Sequence, residues 1–193
     1  MKNILFIYLL ITNFALAQKM PDSGVNRVRI TLADKTLKFE ITSASLAIPA
    51  YTTKTYYWYG GNQVNFTQGG YSGKLLNGNY YEYYLNKNLK TEGTFEKGLK
   101  TGIWKTWDEG GLLLDMLTWK KGVKNGLYKI FGAGGKITEH GTYKLGKQNG
   151  QVEYFSGQDS TTIVTFKNGQ VMQKDTASFW KKLNFFKHGK NKR

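Results

Sequence analysis

The sequence predicts an all-β protein: an elongated single antiparallel sheet of tandem 24-residue β-hairpins. An N-terminal signal peptide precedes the array, and a short amphipathic helix follows it. Three observations carry this expectation. Gly78, Gly102, Gly126 and Gly150 lie 24 residues apart. Aromatic residues recur at fixed offsets from them, and turn residues separate the apolar runs. The composition agrees, since 13 Tyr, 11 Phe, 5 Trp and 23 Gly against only 2 Pro describe short strands joined by tight turns.

Residues 1–17 read as the signal peptide. Lys2 supplies the basic start, Ile4 to Leu16 is an almost wholly apolar run, and Ala15-Leu16-Ala17 fits a small-x-small cleavage site before Gln18. The run falls short of the roughly 20 residues that span a bilayer. The sequence therefore predicts export, to the periplasm or the medium, with peripheral membrane contact left open. There is no cysteine, which excludes disulfides, thiolate metal sites, cysteine nucleophiles and a lipid-modified cysteine. The formal charge of +15 favours anionic partners such as phospholipid or envelope glycolipid. Export argues against nucleic acid.

Residues 18–53 lie outside the period. Val28-x-Ile30-x-Leu32 and Leu37-x-Phe39-x-Ile41 alternate around Ala33-Asp34-Lys35, which predicts one hairpin acting as an N-terminal cap.

The array runs over 54–172, with a degenerate unit at 54–77 and further units at 78–101, 102–125, 126–149 and 150–172. Two positions after each glycine stand Tyr80, Trp104, Tyr128 and Val152; five positions after it stand Tyr83, Trp107, Phe131 and Phe155. Phe95, Trp119 and Tyr143 keep the period later in each unit, and Phe166 comes one residue early. Gly98, Gly122 and Gly146 close the units, again with Gly169 one short. In the degenerate copy Tyr56, Tyr59, Tyr71 and Lys74 occupy the matching places. The period predicts Trp104 beside Tyr80 and Tyr128, and Trp119 beside Phe95 and Tyr143, as a ladder of cross-strand pairs contributing about 0.2–1 kcal/mol each. Offsets two and five have opposite parity, so either both faces carry rings or a bulge intervenes.

The Gly-x-Trp-x-x-Trp units, the Lys-x-Gly-x-x-x-Gly turns and the 24-residue spacing resemble MORN repeats. They look most like the bacterial variant found in antitoxin-like (YwqK-type) proteins. The resemblance covers about residues 54–172. It implies an elongated antiparallel sheet used for scaffolding and for protein or phospholipid contact. An export signal departs from the antitoxin label, because an exported protein does not meet a cytoplasmic toxin.

In the tail, 173–193, Phe179, Trp180, Leu183 and Phe186 fall on one face of a short helix. Lys181, Lys182, Lys187, Lys190, Lys192 and Arg193 flank or follow that face. Seven basic groups against Asp175 give the tail a net charge of +6. A basic amphipathic helix bearing Trp and Phe is an interfacial membrane signature. The same face could instead cap the last hairpin, and both readings stay open. Lys97, Lys100, Lys120, Lys121, Lys124, Lys144 and Lys147 gather in or beside the turns, which predicts a basic edge.

Catalytic signatures are not found. His140 and His188 are isolated, Asp108 and Glu109 are adjacent in a turn, and no phosphate loop, metal-spaced cluster or nucleophile set is present. The functional expectation is a non-enzymatic exported scaffold for an unknown envelope protein, without cofactor. The alternative is a peripheral protein that binds anionic lipid through its tail.

Overall fold

The computed structural model describes residues 25–42, 48–156 and 160–172. The predicted signal peptide and tail helix lie outside these residues. Fourteen strands form one open antiparallel sheet. They are β1 (Val25–Thr31), β2 (Thr36–Thr42), β3 (Thr55–Gly60), β4 (Gln63–Gln68), β5 (Lys74–Tyr83), β6 (Leu89–Glu96) and β7 (Leu99–Trp107), followed by β8 (Leu113–Lys120), β9 (Val123–Phe131), β10 (Ile137–Lys144), β11 (Lys147–Gln148), β12 (Gly150–Ser156), β13 (Ser160–Lys167) and β14 (Gln170–Val171). Among the described residues the one helical element is a 3₁₀ turn at Ala133–Gly135.

From β5 onward the strands follow the chain. The hairpins β5–β6, β7–β8, β9–β10 and β12–β13 repeat at the period of the glycines. Two turns alternate. Within three of the units a five-residue connection closes the hairpin, through the amides of Tyr84, Asp108 and Gly132 to the carbonyls of Asn88, Leu112 and Lys136, at 2.8–2.9 Å.

Between units the turn is tighter. Lys97 (φ +51°) and Gly98 (φ +77°) are both left-handed, and the same pair of angles recurs at 121–122, 145–146 and 168–169. Two successive positive φ values match the twist of the flanking strands, and glycine at the second position removes the steric cost. The glycine amide donates back to the preceding unit: Gly98 to Leu76 (2.7 Å), Gly122 to Lys100, Gly146 to Lys124 and Gly169 to Gln148 (2.8 Å each). Asn77, Asn125 and Asn149 add a side-chain acceptor for the amides of Lys97 (2.9 Å), Leu145 (3.2 Å) and Asn168 (3.4 Å).

The period glycines themselves occupy bulges. Between β8 and β9 the register passes from Leu117↔Tyr128 to Trp119↔Lys124, so three residues including Gly126 oppose Thr118 alone. Gly126 has φ +122°, and a Cβ there would meet Thr118 Cγ2 at 2.9 Å. In the first three of these hairpins the second strand also carries one extra residue near its start, Lys90, Leu114 or Thr138, whereas β12 and β13 pair in unbroken register.

The expected alternation of 28–32 and 37–41 forms the hairpin β1–β2, paired from Val25↔Thr42 to Thr31↔Thr36. Its place is not the one chain order suggests. β2 pairs with β5, as in Phe39↔Tyr80, and so takes the slot beside the first regular unit. The degenerate unit gives the hairpin β3–β4, which pairs with β5 only at Trp58↔Leu75 and Tyr59↔Lys74. It folds over one face of the sheet instead. Tyr59 packs on Phe39 (centroids 5.5 Å apart), Tyr57 packs on Phe95 (4.9 Å), and the Tyr57 amide donates to Gly98 O (2.8 Å). β4 ends at Gln68, so Tyr71 falls in a loop rather than at the ladder position its spacing suggests.

This second layer creates the core. Ile30, Leu37, Phe39, Ile41, Leu76, Tyr80, Phe95 and Trp104 form one buried cluster; Tyr56, Leu75 and Leu99 form another. Trp104 lies flat over Gly93, where a Cβ would sit 2.2 Å from the indole. Extra volume in a packed core costs about 1–3 kcal/mol. Gly93→Ala is therefore expected to lower the urea midpoint by that equivalent. Gly70→Ala, whose Cβ meets nothing within 4 Å, should stay within about 0.5 kcal/mol of the parent protein.

Candidate functional site

Regular alternation places the offsets two and five on opposite faces, so both faces carry rings. Trp104, Lys105 and Thr106 pair in unbroken register with Leu117, Met116 and Asp115. The ladder is consequently two rows of different character.

On the front face Tyr80 stacks on Trp104 at 5.7 Å, and Phe95 meets both, at 5.5 and 4.9 Å. Leu117 then stands between Trp104 and Tyr128, being the register partner of each. The row Phe95, Trp119, Tyr143 is not continuous ring on ring. Lys100 lies opposite Phe95 and Lys124 opposite Trp119, so cations fill the gaps. The Lys100 ammonium is 4.1 Å from the Trp104 centroid, 5.1 Å from Trp119 and 5.4 Å from Tyr57. Lys124 lies 5.9 Å from Trp119 and 5.1 Å from Tyr143. Each such contact contributes about 0.5–2 kcal/mol, more as water is excluded. Five of the seven turn lysines are exposed, while Lys100 and Lys124 turn inward.

Beside these rings lies a cleft of about 250 Å³, lined in part by Tyr57, Lys100, Trp104, Asp115 and Trp119, with Glu82, Thr91 and Thr106 at its polar side. Glu82 is held by Lys90 (3.0 Å), Lys35 (3.4 Å) and the Tyr80 hydroxyl (3.1 Å). Burial opposes its charge, but the Lys90 hydrogen bond and the two ammonium groups outweigh burial and lower its pKa. Further along, the Tyr128 hydroxyl donates to Glu139 (2.6 Å), and Gln148 donates to both (2.7 and 3.2 Å). Burial, then Glu139, pushes the Tyr154 phenol up to about 12, and burial raises Tyr80 and Tyr128 above the ordinary phenol range. These phenols keep their protons at neutral pH.

The back face carries the other row. Arg29, Lys38, Tyr81, Glu92, Lys105, Met116, Lys129, His140, Glu153 and Ile163 follow one another in register across ten strands. Lys105 pairs with Glu92 (2.8 Å) and His140 with Glu153 (3.3 Å). The half-buried rings Tyr83, Trp107, Phe131 and Phe155 lie on this face. Lys38 sits 4.8 Å over Tyr83, Lys105 6.0 Å over Trp107, and His140 packs on Phe155 at 5.5 Å. Ile103 (54% exposed), Leu127 (69%) and Ile163 (49%) stand bare among them.

Of the residues singled out in the sequence, the ring positions after each glycine are thus brought into two rows, Phe95, Trp119 and Tyr143 lie on the front face with Lys100 and Lys124 between them, and the period glycines sit in the bulges. The tail positions Phe179, Trp180, Lys181, Lys182, Leu183, Phe186, Lys187, Lys190, Lys192 and Arg193 lie outside the described residues. Sequence reasoning did not single out Tyr57, Glu82 or the inward role of Lys100 and Lys124. One signal for the lysines was available: each falls two residues after a turn glycine, directly across from a period aromatic.

Among the described residues no group of three His, Cys, Asp or Glu side chains is placed to hold a metal, and no helix is long and apolar enough to cross a membrane. No protein-family model, curated protein or solved structure matches the chain.

Because the Glu82 pKa is lowered on folding, its contribution is present above the unfolded carboxylate pKa of about 4.3 and is lost as pH falls through the folded value. Glu82→Gln is expected to be less stable than the parent at pH 7. The gap should close as the pH is taken below about 4, in thermal unfolding followed by circular dichroism.

Proposed function

We propose that this chain is a non-enzymatic, exported scaffold whose repeat sheet docks another envelope protein. The carrying observation is the back face. Ile103, Leu127 and Ile163 are exposed on it beside half-buried aromatic rings and Met116, with charged groups interleaved in the same rows. Exposed apolar groups clustered with aromatics, methionine and a polar surround are the composition of a protein-binding surface. The rigid register holds those groups at fixed spacing, so a partner meets a preorganised strip and loses less conformational entropy on binding. The resemblance to MORN repeats supports the same reading, and the apolar stretch before Gln18 supports export.

The test is co-purification of the mature chain with detergent-solubilised envelope proteins. Ile103→Asp with Leu127→Asp places two carboxylates in the strip without touching the buried core. This double variant is expected to keep its thermal midpoint within a few degrees and to lose the co-purifying partner. Recovery of the same partner in the same yield would refute the reading.

The alternative, contact with anionic lipid through the tail, is supported by the +6 charge and the aromatic spacing of 173–193. Each basic group near an anionic surface contributes about 1 kcal/mol, screened by salt. The full mature chain should then sediment with phosphatidylglycerol vesicles at low salt, and a chain ending at Asp175 should not. Equal recovery of both forms would remove the tail from the account.

A further inference from the structure

Strand β1 is an open edge of the sheet. It pairs with β2 alone, and among the described residues its outer side has no backbone partner. The far end of the sheet is partly covered, since β14 returns along Phe166 and Lys167 of β13. Open edges are ordinarily blunted by shortness, proline or a bulge. β1 has none of these: its seven residues, Val25–Thr31, run in unbroken register with β2.

The turn after β1 decides which backbone groups face outward. The Leu32 amide donates to Lys35 O at 2.8 Å, so these two residues form a hydrogen-bonded pair. Such pairs alternate with non-hydrogen-bonded ones along an antiparallel ladder. Counting back along the register, Ile30 bonds with Leu37 and Val28 with Phe39. The N–H and C=O groups of Arg27, Arg29 and Thr31 therefore point away from the sheet, where an added strand would meet them.

The side chains of Arg27 and Arg29 share the back face, and Val28 and Ile30 the front. Positive charge is concentrated on the back. Arg29 stands directly across from Lys38, and Glu40 is the one acid in β1 and β2. Like charges so placed are destabilising. Glu40 meets Arg27 at 3.3 Å, and its other oxygen accepts from the Asn79 amide (2.8 Å). Among the described residues Arg29 has no hydrogen-bond or ion-pair partner, and Lys38 has only the Tyr83 ring. An open cleft of about 370 Å³ lies among these three cations, with Tyr81 in its lining.

We infer that β1 takes up an extended acidic segment of a partner protein as an added strand. Carboxylates two residues apart face Arg27 and Arg29, and the apolar residue between them lies on the Val28 side. A second copy of this chain fits badly, because antiparallel addition about Val28 sets Arg27 against Arg29 and Arg29 against Arg27. No two acids of this chain stand two residues apart, so no segment of its own supplies a carboxylate for each arginine. The site adds to the scaffold reading and does not depend on the strip at Ile103 and Leu127.

The test uses the full mature chain and three synthetic peptides: Thr-Val-Glu-Val-Glu-Val-Thr, its lysine counterpart, and Thr-Val-Val-Glu-Glu-Val-Thr, which has the same charge at the wrong spacing. Affinity and amide hydrogen exchange are both read by NMR. The alternating acidic peptide is expected to bind at least about ten-fold tighter than either of the others, the value of one charge-assisted hydrogen bond. It should also slow exchange of the Arg27, Arg29 and Thr31 amides and leave those of Val28 and Ile30 unchanged. Arg29→Glu should weaken binding about ten-fold or more. Arg29→Lys keeps the charge should the glutamate variant unfold, and is expected to retain binding within about three-fold. The Ile103→Asp, Leu127→Asp variant should bind the peptide like the parent, which separates this site from the strip. Equal affinity for the three peptides, binding without slowed exchange of the outward amides, or Arg29→Glu binding like the parent would each overturn the inference. Protection of those amides before any peptide is added, with the chain sedimenting as a dimer, would overturn it in favour of a second copy.

Discussion

The tight turn that joins each hairpin to the previous one is the constraint on which the rest of the structure depends. Its glycine amide reaches back to a carbonyl of the preceding unit, at Leu76, Lys100, Lys124 and Gln148 in succession. At three of the four turns an asparagine carboxamide holds the neighbouring amide as well. These bonds pin one unit to the next independently of which side chains the strands carry. In a sheet, a slip of one residue would send every side chain to the other face. The turn lock prevents that slip, so a weakly apolar strand such as β13 can still hold its place.

Once register is set, the two faces acquire different work. The front face buries Phe39, Tyr80, Trp104, Tyr128, Val152 and Val164 in a continuous line across the strands. Glycine at Gly93 and Gly141 makes room for the rings of Trp104 and Tyr128. Beside that line, Lys100 and Lys124 alternate with rings. The back face interleaves charge, aromatic and aliphatic groups without burying any row completely. An open sheet has two such surfaces by construction, and the bulges at the period glycines add the twist and local reach that flat pairing lacks.

The placement of β3–β4 shows how tertiary structure departs from simple repetition. A regular first unit would leave the Phe39, Tyr80 and Phe95 surface half covered by its own neighbours alone. The displaced hairpin instead lays Tyr57 and Tyr59 across it and closes the cleft that holds Lys100. The N-terminal hairpin, whose Ile30, Leu37, Phe39 and Ile41 point to one side, fills the vacated edge. Both moves bury aromatic area, the largest favourable contribution available to so thin a structure.

The sequence by itself determined the strand class, the 24-residue unit, the hairpin at 28–41 and, of the expected ring pairs, Trp104 on Tyr80. These follow from local rules: alternation of period two, glycine and asparagine where φ is positive, and copies that must pair alike. Tertiary structure alone decided the swap of β1–β2 for β3–β4, the opposite facing of Trp104 and Trp107, and the turn of Lys100 and Lys124 into the aromatic row. Those outcomes depend on which surfaces meet across a long stretch of chain. Periodicity reports what neighbours along a strand must do. It carries no information about the layer that folds over them.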